Sequence, residues 1–380
     1  MRTPLAWLNL VHEKTRLLVA IAGVAFAVMI IFMNLGFLGA LGTAASAIYT
    51  KLNADIVLSS PKTLEIGSSK PFPLQRLYQA AGIEGVERAM PLYLGITLWR
   101  NAETRKMRAI FVYGFNPNDP AFLLPELQTP ELQAALQRPN TVLIDRRSRP
   151  EFGPTAIGTE TELDRRAATI GGHYELGGGF SADGTLIMSD QNFRRYFHPR
   201  PLDLIDYGLI QLKPGADADR VAEKLRQILP ADVRVFTRQE IMDRDRTFWI
   251  VTTSTGFIFG MGVVVSLIVG TVIVYQILYT DITSHRVQYA TLKAMGYRNT
   301  FLFGLVLQEA LILACLGYIP GFAISLGLYD MAYKATAGTL PIVMDSQRAL
   351  LVFLLTLGMC TVSGLISVQK AISTDPAEVY

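Results

Sequence analysis

The chain has 380 residues, half of them hydrophobic (50%), and a formal net charge of +3. So small a charge excludes nucleic acid as a partner, because phosphate backbones are met by a basic stripe. Both cysteines, Cys315 and Cys360, fall in apolar stretches, so no disulfide braces the polar part of the chain; each reads as a small buried side chain.

In residues 4–16 (PLAWLNLVHEKTR), Leu5, Leu8 and Val11 recur at helical spacing beside Trp7, and Lys14 and Arg16 follow. A tryptophan and a basic tail next to an apolar run predict an amphipathic elbow helix over 1–16, lying on the inner leaflet. Four apolar stretches then appear: Leu17–Leu41, Thr247–Thr280, Phe301–Tyr329, broken only by Glu309, and Ala349–Val368. Each reaches the roughly 20 residues that carry a helix across about 30 Å of hydrocarbon. The first is too long for the apolar core of a cleaved signal peptide and reads as an uncleaved signal-anchor. It is rich in Gly and Ala, including Gly36 and Gly39, so close packing on another helix is expected.

Between the first and second stretches, residues 42–246 hold 26 Lys and Arg against 25 Asp and Glu, leaving 9 and 7 for the rest of the chain. No lipid-buried segment tolerates that density. The pattern there gives strands at 55–60, 95–99, 108–113, 207–212 and 233–236, and helices at 73–81, 130–136 and 218–229. The glycines of Gly171–Gly184 read as hairpin punctuation; a phosphate cradle would need a Lys-Ser/Thr that does not follow. An α+β domain over 42–237 is expected, in two lobes, the middle lobe at about 140–205.

The second stretch has 34 uncharged residues, about 50 Å as a helix, longer than a bilayer is thick. Upstream, Arg238–Arg246 is charged and lacks Pro and Gly, so the helix is expected to continue outward as a solvated stalk, making 238–280 stalk and span together. Pro320–Gly321 predicts a kink or break in the third stretch. The short loops set the orientation. Residues 1–16 and 281–300 carry excess positive charge, from Arg2, Lys14 and Arg16, then Arg286, Lys293 and Arg298; in 330–348 Lys334 and Arg348 are balanced by Asp330 and Asp345. By the positive-inside rule both termini, including the tail 369–380, are cytoplasmic, and 42–237 and 330–348 lie outside. The expected fold class is an α-helical membrane protein with four transmembrane helices (17–41, within 238–280, 301–329, 349–368) plus an α+β extracytoplasmic domain inserted between helices 1 and 2.

Chemistry is mostly absent. The sequence contains no G-x-x-x-x-G-K-S/T, G-x-S-x-G or H-E-x-x-H, and its four histidines are scattered. No catalytic, cofactor-binding or metal-ligating residue is assigned, and a non-catalytic subunit is expected. Glu309, the one charge deep in a span, is either a hydrogen-bonding group between helices or an element of transport chemistry. No ladder of polar residues accompanies it, which argues against a secondary transporter with a midplane site. As a helix ending at Gly296, Ser284–Tyr297 sets Arg286, Tyr289 and Lys293 on a basic-aromatic face and Val287, Ala290 and Ala294 on a small apolar one. It reads as a surface helix or as a docking helix for a cytoplasmic partner.

Gln288-Tyr-Ala-Thr-Leu-Lys-Ala-Met-Gly-Tyr297 resembles the EYATLKAMGY segment of DevC, the permease of the heterocyst-type glycolipid exporter, within the wider MacB/FtsX-like superfamily; Gln288 stands where that family has Glu. Leu5-Ala-Trp-Leu-Asn-Leu10, Ala54-Asp-Ile-Val-Leu58, Asp375-Pro-Ala-Glu378 and the one-plus-three span layout are similar too, so the resemblance runs along the whole chain. It implies a homodimeric permease of a bacterial, cyanobacterial, inner membrane. An ABC ATPase subunit would grip a coupling helix over 281–300, at Arg286, Val287, Tyr289, Ala290, Lys293, Ala294 and Gly296, and ATP would be bound by that partner alone. Motion would pass along the second helix to the outer domain. With a periplasmic adaptor and a TolC-like outer-membrane channel, the system would export lipid or other hydrophobic cargo from the periplasm or outer leaflet. The alternatives are a lipoprotein-release or cell-wall-hydrolase-regulating permease of the same superfamily and, in another class, a transmembrane sensor.

Overall fold

The computed structural model describes residues 7, 14–177, 183–284, 295, 299–336 and 341–372, with backbone alone at 299, 302 and 370–372. The chain divides into two compact units, one within Met1–Ala40, Ser254–Ala335 and Ile342–Tyr380, the other within Leu41–Thr253 and Thr336–Pro341. Helix α1 (Lys14–Ser46) opens the described chain and runs from the first unit into the second. Of the predicted elbow only Trp7 and residues 14–16 are described; the rest lies outside the described residues.

The second unit is built on β1 (Ile56–Ser59), β2 (Phe72–Pro73), α2 (Gln75–Ala81), β3 (Val86–Arg100), β4 (Met107–Phe115), α3 (Pro130–Gln137), β5 (Thr141–Asp145), β6 (Glu160–Leu163) and β7 (Arg166–Tyr174). It continues through β8 (Thr185–Ser189), α4 (Asp190–Tyr196), β9 (Leu204–Ile205), β10 (Tyr207–Leu212), α5 (Ala218–Ile228), β11 (Arg234–Thr237) and α6 (Arg238–Thr247). Strand order in the main sheet is β11-β1-β10-β3-β4-β8-β5-β7-β6, and β6 pairs back onto β3. Six strands, β3-β4-β8-β5-β7-β6, therefore close on themselves as a barrel. The remaining quartet β11-β1-β10-β3, with α2 and α5, is a split β-α-β arrangement, and the barrel is inserted between its second and third strands.

β3 belongs to both halves. Its residues 86–92 pair with β10, and 93–100 pair with β4. At the changeover Leu94 has lost β10 as a neighbour, and a buried ion pair takes the place of the missing strand. Asp206, 1% exposed, accepts from Leu94 N (2.6 Å) and from Arg200 Nη2 (2.6 Å), while Arg200 Nη1 donates to Leu94 O (3.0 Å). Burial pushes the Asp206 carboxyl above the usual carboxylate range, and Arg200 opposes that shift. Two hydrophobic clusters are shared by both halves: Ile56, Leu58 and Val221 from the quartet pack with Trp99, Ile110 and Val142 from the barrel, and Val57 and Leu209 with Tyr113 and Leu143. The Trp99 indole N–H donates to Phe152 O (2.9 Å), so this large side chain is buried without a stranded donor.

The expected hairpin at Gly171–Gly184 does not form. β7 and β8 lie on opposite sides of β5, parallel and antiparallel to it respectively, because the long β7 already has its hairpin partner in β6. Residues 178–182 lie outside the described residues. The β6–β7 turn is made by Asp164 and Arg165, with φ of 44° and 66°, the two positive values of a type I′ hairpin turn, which holds the strand twist even without Gly or Asn.

The first unit holds α1 with α7 (Ser254–Ser284), α8 (Asn299–Ala335) and α9 (Ser346–Ile372). All four helices are long and apolar enough to cross a membrane, by length and composition. Close packing of α1 is realised through small residues. Gly317 and Gly321, one turn apart on α8, face Val24, Ala25 and Val28, and a Cβ at position 321 would sit 2.8 Å from the Ala25 carbonyl oxygen. Hydroxyls stitch α9 to α7: Ser363 Oγ donates to Thr271 O (2.7 Å) and Ser367 Oγ to Tyr275 O (3.2 Å). Of the kink or break expected at Pro320, the break is absent, since α8 is continuous from Asn299 to Ala335. Proline removes one ladder bond there, and packed neighbours make that tolerable in a membrane helix. Cys360 is buried as expected, whereas Cys315 faces outward.

Candidate transmission site

The residues that couple the polar unit to its exit segment were not singled out by sequence. Helix α6 starts with a capping box, Thr237 accepting from Glu240 N and Glu240 accepting from Thr237 N. It then presents Ile241 and Asp245, four residues apart, to the sheet; both are 0% exposed. Asp245 Oδ2 accepts from Tyr49 OH (2.6 Å) and Ile66 N (3.2 Å), and Oδ1 accepts from Arg244 Nη2 (2.7 Å) and Nε (2.9 Å). Arg244 also donates to Ser59 Oγ (3.3 Å) and Tyr207 OH (3.2 Å), and lies 4.9 Å above the Phe236 ring. Burial pushes the Asp245 carboxyl up, with Arg244 and Tyr49 pulling it back. A buried carboxylate needs this many donors to stay put.

Tyr49, 1% exposed, sits on the short 3-10 turn Ala47–Thr50 that follows α1. Asp245 sits at the end of α6. The network therefore joins the point where the chain enters the polar unit to the point where it leaves. Gly42 strengthens the same seam: a Cβ there would stand 2.8 Å from Arg246 Cγ and 2.9 Å from Ile250 Cδ1. Both segments are thus clasped to each other and to the sheet.

Beyond the clasp the expected solvated stalk is corrected in two ways. α6 is packed on its own sheet rather than standing free, because Ile241 and Asp245 are buried there. The helix is also not one rod. A π-helical turn spans Phe248–Thr252, and Thr253 is extended (φ −81°, ψ 150°) before α7 begins. Thr253 N donates to Phe248 O (3.2 Å) and its hydroxyl to Trp249 O (2.6 Å), so its side chain and amide close the wide turn while its extended backbone suits the start of the next helix.

At the other end of α7, Arg16 on α1 lies 3.5 Å from Asp281 Oδ1 and donates to Ser284 Oγ (2.8 Å). This anchors the first residues of the predicted coupling segment 281–300, which belong to α7 as far as Ser284. Arg286, Val287, Tyr289, Ala290, Lys293, Ala294 and Gly296 themselves lie outside the described residues; Met295 is an exposed turn residue. Glu309 is fully buried in the bundle on α8 and is no part of the clasp. Among the described residues no group of His, Cys, Asp and Glu could hold a metal ion. The clasp residues escaped notice because Arg238–Arg246 reads as a charged, solvated run. The available signal was the i, i+4 spacing of Ile241 and Asp245, which puts one carboxylate on the apolar face.

Two families match. The MacB-like periplasmic core domain covers residues 17–228 and the FtsX-like permease C-terminal domain covers 248–376. The chain belongs to the MacB/FtsX-like ABC permease family and is a multi-pass membrane protein. An uncharacterized ABC transporter permease of Mycobacterium tuberculosis is 26% identical over 271 residues, 67% of this chain but 29% of that protein, so this chain spans under a third of that relative. Among solved structures, the periplasmic region of MacB from Actinobacillus actinomycetemcomitans is similar over 50% of this chain and 92% of its own, at 9% identity and a TM-score of 0.36. The extracellular domain of the ABC-type transporter YknZ from Gram-positive bacteria covers 48% of this chain and 99% of its own, at 13% identity and a TM-score of 0.35.

Proposed function

We propose that this permease is a mechanical transmitter: a separate ATPase subunit grips the 281–300 loop, and nucleotide-driven movement passes through α7 and the turn at 248–253 to the polar domain. The chain works as a homodimer with both termini and 281–300 in the cytoplasm. With an adaptor and a TolC-like channel it drives lipid or other hydrophobic cargo outward from the periplasm or outer leaflet, as the resemblance to DevC suggests. ATP stays on the partner.

The clasp supports this reading best. The exit helix is held by a buried Arg244–Asp245–Tyr49 network, so force arriving along 248–253 acts on the folded sheet and not on a loose linker. Coexpression with the ATPase subunit tests the docking half. Arg286→Glu with Lys293→Glu is expected to abolish ATPase co-purification while the permease still inserts; undiminished co-purification would refute the assignment of 281–300. ATP hydrolysis by the purified chain alone would refute the division of labour.

A further inference from the structure

The end of the barrel closed by α4 carries a surface that transmission does not use. Three segments meet there: the turn entering β5, the start of β7 and the last turn of α4. Asn192 ties the first to the third, its Nδ2 donating to the carbonyls of Arg138 (2.9 Å) and Thr141 (3.1 Å) and its Oδ1 accepting from Asn140 N (3.1 Å). Tyr196 OH donates to Ala167 O (2.7 Å), Arg195 Nη1 donates to Asn140 Oδ1 (2.8 Å), and the Arg166 guanidinium donates to the Arg195 carbonyl. Arg138, Arg165, Arg166, Arg194 and Arg195, all exposed, are thereby gathered at one end.

Among the described residues none of the five makes an ion pair, and Asp164 in the β6–β7 turn is the acid beside them. Elsewhere on the barrel several arginines are matched by acids, half-buried Arg100 by Glu162 and Arg108 by Asp183, and exposed Arg147 by Glu175, while exposed Arg146 stands singly and not in a cluster. Local duties cover part of the cluster: Arg194 and Arg195 suit the negative end of α4, and Arg166 satisfies a terminal carbonyl. Those duties leave Arg138 and Arg165 unexplained, along with the accumulation of like charge. Next to the cluster, the Leu98 carbonyl accepts from Asp164 N (2.9 Å), and the outer face of β3 shows Leu98 and Ile96, 44% and 49% exposed.

We propose that this barrel end is a docking surface for an acidic protein partner, whose carboxylates meet the arginine forks while its apolar side chains rest on Ile96 and Leu98. Arginine binds carboxylates two-pronged, which lysine cannot do. Arginine beside exposed aliphatics is also the composition of a protein interface. A lipid surface is met instead by lysine-rich runs with interfacial tryptophan or tyrosine, and the patch has neither.

The test uses the full chain in neutral phosphatidylcholine nanodiscs and a labelled helical peptide of Glu-Glu-Leu-Ala repeats, followed by fluorescence anisotropy, with empty nanodiscs as blank. Arg138→Glu, Arg194→Glu and Arg195→Glu together are expected to weaken binding about tenfold or more. Lys106→Glu, Lys213→Glu and Arg220→Glu, equally exposed but elsewhere, should change it less than about twofold. Leu98→Asp alone should weaken it, and the three patch arginines replaced by Gln should reproduce part of the loss if the reversed variant misfolds. Absence of binding, or equal losses from both triple sets, overturns the proposal. So does tighter binding of phosphatidylglycerol vesicles abolished by the same substitutions, which would make the patch a lipid site.

Discussion

Asp245 concentrates the chemistry of the clasp in one side chain. Replacing it by Ala leaves Arg244 facing buried phenols with no counter-charge and should cost the full chain about 3 kcal/mol or more; Asn, which keeps two acceptors' worth of shape but only one carbonyl oxygen, should cost less. Thermal unfolding of the detergent-solubilised protein checks the order Ala below Asn below wild type. The pH dependence has a definite sign. Burial raises the Asp245 carboxyl, so the folded chain holds this proton more tightly than the unfolded chain. This group's contribution is largest below the unfolded value of about 3.9 and declines as pH rises through the elevated one. Asp245→Asn should flatten the part of the stability profile above the unfolded carboxyl's range of about 3.9; parallel profiles for the two proteins would contradict it. Gly321 is the corresponding position in the bundle. Gly321→Leu would drive a side chain into Ala25 and Val28 and is expected to lower bundle stability by about 1–3 kcal/mol, read as a fall in melting temperature.

At the scale of elements, sequence periodicity located β1, β10, β11, α2, α3 and α5 and parts of β3 and β4, which follow a regular apolar spacing, and missed β2, β5 to β9 and α4. What it could not show was long-range pairing. That β3 serves two sheets depends on Asp206 and Arg200, more than a hundred residues away, replacing a strand at Leu94. The interruption at 248–253 was hidden for a different reason: Phe248–Thr252 is as apolar as the span it precedes, and only the amide and hydroxyl of Thr253 mark the turn. Charge spacing marked 284–297, most of which lies outside the described residues, whereas the clasp was not legible because it depends on Tyr49 meeting Asp245 across 196 residues. The α7–α9 contact makes its own prediction. Ser363→Ala with Ser367→Ala removes both interhelical hydroxyl bonds and should lower bundle stability by about 1 kcal/mol in total, seen as a small drop in the unfolding temperature in nanodiscs.

For the molecule as a whole, orientation and force transmission are the two claims to test. Cysteines introduced as Pro120→Cys and Ala290→Cys in a Cys315→Ser, Cys360→Ser background should react with an impermeant maleimide from outside and inside respectively; labelling from the same side would overturn the assigned topology. The central claim is that nucleotide binding on the partner reaches the clasp. Hydrogen exchange on the permease–ATPase complex, with and without vanadate-trapped nucleotide, measures it most directly. The account predicts changed exchange at 238–253 and at 47–50 in the trapped complex, with both changes weakened by Asp245→Ala. Identical exchange across those residues in the two states, with the ATPase bound and trapped, would contradict it.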